Sequence, residues 1–534
     1  MRYRRWNRLI KLIPWIWGLG LAVILMGRMV LADFCIIDDH WEAFWLGETH
    51  SFSFSKIWPA ALSSELGSLG SGGRYKPVWI LYIELETWLF GDRPSLYHAV
   101  RILYFALFFG ALGRIAAGCI GLAPALVFVT GITGLRFWSN LWTLSLGPLE
   151  QLAAAGIALL MVGYYAIVRR YVSGEDIPGW ALPTASLGTA IAAGSKENFV
   201  FLLGIFGAVA ISLAITRRLH VASAILALPP LVVPALVLYA LASAAGNSQD
   251  YYGVDNSVAH RLSPVLDLRQ VLDRPFFVPF MLAAVLLAIP LAWLGYRRSL
   301  LPRPQRSRAT LVFLGFIGFL AGYTLWELFF YNGRLPSGTR YDFPILLFPP
   351  SIILGFAAFA RYTLLVSRGW GWRSVQFAFI ALTAFYLAYF RAPFSLRKDV
   401  NVAVARTTAF RHDFNVMRTT TSIHSDWPVV LEPNSPWDFE VVHTFHIWEK
   451  FFGISNPIML RVEIASEGLT KFEQWLVGEM EHWAAAGVNG SFQPLSDSAT
   501  LEERNGHCFA IGFGHPIVSH CVSLDFAPNR YIPH

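Results

Sequence analysis

The sequence predicts an α-helical polytopic membrane protein of about eleven transmembrane helices. Interfacial helices are expected in its first outer loop and a small soluble α/β domain at its C-terminal end. Three observations carry that prediction. Of 534 residues 55% are hydrophobic and only 14% charged, against about 25% charged in a soluble domain. The mean hydropathy is +0.47. Apolar runs of about 20 residues, the length that crosses a bilayer core, recur up to residue 391.

The first run follows a strongly basic start, "MRYRRWNRLIK". It is longer than the ~7–15 residue core of a secretory signal, so it reads as a retained span rather than a cleaved leader. The eleven spans are expected near 12–32, 96–117, 120–138, 150–168, 180–195, 198–216, 221–243, 276–296, 309–330, 342–360 and 374–391. With the N-terminus in the cytoplasm, Arg114, Arg169, Arg170, Arg217, Arg218, Arg297, Arg298, Arg303, Arg306, Arg308, Arg361, Arg368 and Arg373 all fall inside. That is the asymmetry the positive-inside rule requires. The net charge of +7 is therefore a topology signal. With no basic stripe interleaved with aromatics, nucleic acid is not an expected partner.

Residues 1–391 read as the membrane domain and 392–534 as the extracytoplasmic soluble domain. In the latter, strand-like runs "WPVVLEP" and "PIMLRVE" alternate with "KFEQWLVGEMEHWAAAG", where Phe472, Trp475, Leu476 and Trp483 repeat at helical spacing. Cys508 and Cys521 fall in this region. A disulfide or two free thiols fits them better than zinc, because His507, His515 and His520 make no standard zinc spacing with them.

Four polar clusters share the outer face. The first, "DDHWEAFW", sets Asp38, Asp39 and Glu42 beside Trp41, Phe44 and Trp45, a pattern that suits a helix lying in the interface. The second, "YKPVWILYIELETWLFG", has Lys76 ahead of Pro77, a favoured first helical residue. Glu84 and Glu86 interrupt its apolar run, so it reads as another interfacial helix. The third is "GSKENF", with Lys196 and Glu197 between two tight spans. The fourth is "NGRLPSGTRYDFP", with Arg334, Arg340, Tyr341 and Asp342; the long loop at 246–275 adds His260, Arg261 and Arg274. Positive charge normally avoids the outer side. An anionic ligand at the bilayer surface offsets that cost, and a lipid phosphate is the natural candidate. The adjacent carboxylates are able to take a proton from an acceptor hydroxyl.

In order and spacing these motifs resemble the GT-C superfamily of polyprenyl-phosphate-sugar glycosyltransferases, in particular its aminoarabinose transferase and protein O-mannosyltransferase branch. "DDHWEAFW" is similar to that branch's acidic pair and aromatic helix after the first span. "YKPVWILYIELETWLFG" is similar to its Lys-Pro motif ending in Phe-Gly, and Arg101 in "HAVRILY" to its arginine early in the second span. "SKEN" is similar to a later "TKGP"-like turn, and "RYDFPILLFPP" to a final "RYLLPLLP"-like segment. The resemblance covers about residues 10–390 and leaves the tail unmatched. It implies an inverting transfer with Asp38 as general base and Asp39 supporting acceptor or metal binding. Donor-phosphate roles go to Lys76, Arg101, Lys196, Arg340 and Tyr341. Acceptor or supporting roles go to Glu42, Glu197, His260 and Arg261. Two positions depart from the pattern: Tyr75 stands where these transferases often carry Glu before the lysine, and Lys-Glu-Asn replaces Lys-Gly-Pro. The first departure weakens the case for a metal there, so no cofactor is required, although a divalent metal is compatible with the sequence.

The expected partners are a polyprenyl-phosphate-linked sugar, membrane lipids, and a lipid, glycan or protein acceptor. The expected setting is a bacterial inner membrane. Two other readings stand beside this one: a transporter or flippase for lipid-linked glycans, and a glycan polymerase or ligase of the envelope. Transporters place their unusual charges near the bilayer midplane, whereas here they gather at span ends and only Glu327 lies well within a late span.

Overall fold

The apolar runs become helices. A computed structural model describes residues 2–64, 75–216, 218–244, 277–299, 301–331, 335, 337, 339–363, 370–390, 395–432, 439–460, 493–494, 507–512, 521–524 and 526. Among them, eight helices are long and apolar enough to cross a membrane. They are Lys11–Leu31, Pro94–Ile120, Leu149–Ser173, Glu197–Ile215, Val221–Ser243, Val278–Arg298, Arg303–Phe330 and Ile345–Thr363. Three shorter apolar helices, Leu122–Ile132, Ala181–Ser195 and Arg373–Ala388, occupy the other expected positions. The chain is an integral membrane protein of helical class.

The expected span at 120–138 is cut short. Leu122–Ile132 has 11 residues, about 16 Å at 1.5 Å per residue, roughly half of a ~30 Å hydrocarbon core. The chain turns through Thr133–Leu135 before the next helix, Phe137–Thr143. At the break the Ile132 carbonyl accepts the Leu135 N–H at 3.1 Å and the indole N–H of the buried Trp138 at 2.9 Å.

Both interfacial helices form, as His40–Leu46 and Pro77–Phe90, the second with Pro77 at its first turn. Phe44 on the first and Leu85, Trp88 and Leu89 on the second are exposed, as suits helices that rest on a bilayer surface.

The tightest helix pair positions the site. Leu149–Ser173 and Ala181–Ser195 run antiparallel, joined by a short loop. A Cβ at Gly156 would stand 2.7 Å from the Ala192 nitrogen, and one at Gly188 only 2.4 Å from that of Leu160. Only glycine permits such an approach, the usual device of helix pairs in lipid. The pairing sets Glu150, at the start of one helix, against Lys196, at the end of the other.

Beyond the membrane helices, a polar helix Ser395–Thr421 leads to a five-stranded, wholly parallel sheet in the order β3-β2-β1-β4-β5. Its strands are β1 Val429–Glu432, β2 Ile458–Leu460, β3 Gln493–Pro494, β4 Phe509–Gly512 and β5 Val522–Ser523. In register, Val429 faces Ile458 on one side and Phe509 on the other. Parallel neighbours need a crossover, and helix Phe439–Phe452 supplies it between β1 and β2. The helix expected at 471–487 lies outside the described residues. Cys508 and Cys521 are joined in a disulfide.

This region does not stand apart from the loop after the first span. Phe34, Ile36, Ala43, Leu46 and Leu146 share one core with Phe410, Phe414, Leu431, Trp448 and Phe451. The Trp448 indole N–H donates to the Ile36 carbonyl at 2.8 Å, and Arg411 pairs with Asp33 at 2.5 Å. The segment that carries Asp38 is thus braced from behind by the C-terminal region.

Candidate active site at the ends of the spans

The two aspartates after the first span separate. Asp38 has φ +70°, a left-handed conformation unusual for a residue with a side chain. That twist sends the neighbouring carboxylates in different directions. Asp39 is buried, and its two oxygens accept the backbone N–H groups of Cys35 and Leu146, each at 2.6 Å. Asp38 keeps a partly open carboxylate, whose Oδ2 accepts from Arg340 Nη1 at 2.9 Å and from Ser145 Oγ at 3.2 Å. Gly147 makes room for it, since a Cβ there would lie 2.4 Å from that of Asp38.

Their electrostatics diverge accordingly. Burial opposes ionisation of Asp38, but the Arg340 guanidinium outweighs it and holds the carboxyl below its ordinary range. Burial pushes Asp39 up to about 8 despite its two backbone donors, and the charge of Asp38 adds to the rise. Asp38 is therefore the anion at neutral pH. His40 is kept neutral by burial, its pKa lowered to about 4.

Arg340 stands in a short 3-10 turn, Arg340–Asp342, that opens on the Thr339 side chain. Asp342 is buried and fixes the approach by accepting from the Ser337 N–H at 2.5 Å. The next residue, Tyr341, joins two charge pairs. Its ring lies 5.6 Å from the Arg340 guanidinium and 4.6 Å from the Lys196 ammonium, which also sits 5.3 Å from the Tyr331 ring. Lys196 is buried and ion-paired with the buried Glu150.

Each side chain of the Lys-Glu-Asn turn has a separate partner. Lys196 takes Glu150, Glu197 accepts the Tyr75 N–H at 3.2 Å, and Asn198 donates to Glu327 at 2.8 Å. The Tyr75 contact draws the start of the second interfacial helix to this turn. Lys76 follows directly, with its buried ammonium 4.9 Å from the Trp79 ring.

Three more of the expected site residues are buried. Arg101, expected at the donor phosphate, is buried with its donors turned inward. It binds both Glu86 oxygens at 2.6 Å, Gln151 Oε1 at 2.8 Å, the Leu146 carbonyl at 3.2 Å, and the Tyr82 hydroxyl. Gln151 in turn donates to the carbonyls of Leu141 and Ser145. These contacts tie the guanidinium to Glu86 and, through Gln151 and the Leu146 carbonyl, to the 141–147 loop. Asp39, expected to support acceptor or metal binding, has both oxygens occupied by that same framework. Glu42, expected near the acceptor, is buried with neither oxygen hydrogen-bonded among the described residues, and burial together with Asp39 pushes its carboxyl well up. His260 and Arg261 lie outside the described residues. Among the described residues, no three His, Cys, Asp or Glu side chains converge as a metal ion requires.

Sequence reasoning passed over Glu150, Ser145, Gly147 and Tyr331. Glu150 left a usable signal: an acid opening one span faces a lysine closing the next when a seven-residue loop joins them. Ser145 and Gly147 gave none, because the meeting of their loop with Asp38 is wholly tertiary.

No protein-family model matches the chain, and no curated protein does. Solved structures similar to it include two of ArnT from Cupriavidus metallidurans. The one bound to undecaprenyl phosphate is 12% identical, with a TM-score of 0.36 over 88% of each chain. The apo form is 13% identical, with a TM-score of 0.38 over 96% of this chain and 94% of the other.

Proposed function

We propose that this protein is a membrane glycosyltransferase that moves a sugar from a polyprenyl-phosphate donor to an acceptor hydroxyl. The reaction takes place on the extracytoplasmic face, with inversion at the anomeric carbon. The observation that carries this reading is the Asp38–Arg340 ion pair, set beside Tyr341 and the Lys196–Glu150 pair at the ends of the spans. One group is able to accept a proton, neighbouring groups are able to hold a phosphate, and the membrane is at hand for a lipid tail.

The acceptor oxygen attacks the anomeric carbon as its proton passes to Asp38. The bond from that carbon to the phosphate oxygen breaks, and its electron pair leaves with the polyprenyl phosphate. Arg340 and Lys196 stabilise the growing phosphate charge, where preorganised cations contribute most. Lys76 enters the same neighbourhood through the Tyr75–Glu197 contact. Before the donor arrives, Arg340 is occupied by Asp38. A donor phosphate competes for the guanidinium, and the carboxylate it releases is a stronger base. Phosphate is a good leaving group, so the scheme needs no strong general acid and routes no step through a metal.

On this reading the N-terminus is cytoplasmic, the C-terminal region extracytoplasmic, and the membrane a bacterial inner membrane. The division into residues 1–391 and 392–534 is one of function rather than packing, since the second part closes over the loop that bears the base. The test is transfer of labelled sugar from polyprenyl-phosphate donors in membranes. Asp38→Asn must abolish transfer while the protein remains folded and inserted; full activity in that variant rejects the mechanism.

A further inference from the structure

A cavity of about 310 Å³ opens among Trp15, Arg114, Tyr165, Arg169, Arg170 and Trp180. It lies far from the acidic site. Arg114 is 13 residues beyond Arg101 in one helix and Arg169 is 19 beyond Glu150 in another, rises of about 20 and 28 Å. The cavity therefore sits at the opposite membrane boundary, the cytoplasmic one in the proposed orientation.

Its charges are unbalanced. Arg170 is paired with Glu175, whereas among the described residues neither Arg114 nor Arg169 has a carboxylate partner. Arg114 lies instead 5.6 Å from the Tyr165 ring. Arginines that only set topology need no concave site, yet these edge a cavity walled by two tryptophans and a tyrosine. The adjoining face of the first span, with Ile16, Leu19 and Val23, is apolar and exposed, and Trp180 is 52% exposed, as interfacial tryptophans are.

We propose that this cavity holds the headgroup of an anionic phospholipid. Its phosphate lies between Arg114 and Arg169, and an acyl chain follows the exposed face of the first span. Guanidinium groups match phosphate oxygens in pairs, and basic pockets between spans on the cytoplasmic side select acidic headgroups. The apolar face leading out of the cavity favours a lipid over a free phosphate. The inference is independent of the transfer chemistry.

Native mass spectrometry of the delipidated full-length protein, titrated with phosphatidylglycerol or phosphatidylcholine, tests it. Wild type should retain phosphatidylglycerol preferentially, and excess glycerol phosphate should not displace it. Arg169→Ala, an exposed change that leaves the fold intact, should weaken retention about fivefold, the factor for roughly 1 kcal/mol per basic residue. Arg114→Ala should do the same and Arg114→Lys should restore most of it. Arg298→Ala, on the same face but outside the cavity, should have no effect. Equal retention of the two lipids, unchanged retention in Arg169→Ala, or displacement by glycerol phosphate each overturns the proposal. If Arg114→Ala does not fold, the wild-type and Arg169→Ala measurements decide it alone.

Discussion

Arg340 donates to Asp38 across 2.9 Å, joining residues 302 positions apart and tying the loop before the Ile345–Thr363 span to the segment after the first. This pair sets the ionisation of the proposed base. It also gives the donor phosphate a cation to capture.

Removing the arginine should move the pH profile. With Arg340 gone, burial is the dominant influence left on Asp38, and its pKa rises. The acid limb of transfer in Arg340→Ala should therefore lie at higher pH than in wild type, because protonation disables the base sooner. The maximal rate should also fall by about 10²–10³, the usual cost of losing one charge-stabilising donor. An unmoved acid limb would separate Arg340 from Asp38.

Gly147→Ala offers a subtler probe. The new methyl falls 2.4 Å from the Asp38 Cβ and 3.1 Å from its carbonyl oxygen, so the aspartate must shift together with its backbone. Transfer should drop at least tenfold in protein that stays folded and inserted, with a loss of about 1–3 kcal/mol of stability from the overpacking. Normal transfer would mean that the Asp38 position is not critical.

The Lys196–Glu150 pair is buried, with side chains 6% and 2% exposed. Lys196→Ala leaves a carboxylate without its counter-ion and should destabilise the protein by about 3–5 kcal/mol. Adding Glu150→Gln should recover much of that loss. Melting curves of the single and double variants in detergent measure the coupling. Independent, additive effects would show that the pair is not a unit.

Asp39 should act on stability more than on chemistry. Asparagine keeps one acceptor oxygen where two are used, so Asp39→Asn should cost about 1–3 kcal/mol. The pH dependence has a definite sign. Asp39 is raised to about 8 in the fold, so between its unfolded value near 4 and that point the folded state holds a proton the unfolded state has lost. Its contribution to stability falls as pH rises through this window. The difference in melting temperature between wild type and Asp39→Asn should therefore shrink from acid to mildly basic pH; a constant difference would contradict the assignment.

Much of the fold was legible because the bilayer imposes simple rules. Apolar length marked the helical segments, Pro77 marked a helix start, and alternating runs marked β1 and β2. The shortened helix Leu122–Ile132 was not legible, since the turn that ends it, closed by the Leu135 N–H and the Trp138 indole on the Ile132 carbonyl, leaves no mark in composition. In the site, Asp38, Lys196, Arg340 and Tyr341 stood out as charge or aromatic character at the end of a span. Arg101 was singled out only by the family resemblance, and its guanidinium bonds Glu86 and Gln151. The resemblance assigned it to the donor phosphate, and nothing in the sequence marked Glu86 and Gln151 as its partners. Asp39 was equally ambiguous, because the positive φ that separates it from Asp38 comes from the packing of the 35–39 turn against the 144–147 loop.

The most direct test of the central claim is transfer of labelled sugar from a panel of polyprenyl-phosphate donors, in membranes holding wild type, Asp38→Asn or Asp39→Asn. The account predicts that one donor supports transfer by wild type, that Asp38→Asn eliminates it in a folded, inserted protein, and that Asp39→Asn retains a reduced rate. Normal transfer by Asp38→Asn would contradict it, and loss confined to Asp39→Asn would exchange the roles of the two aspartates.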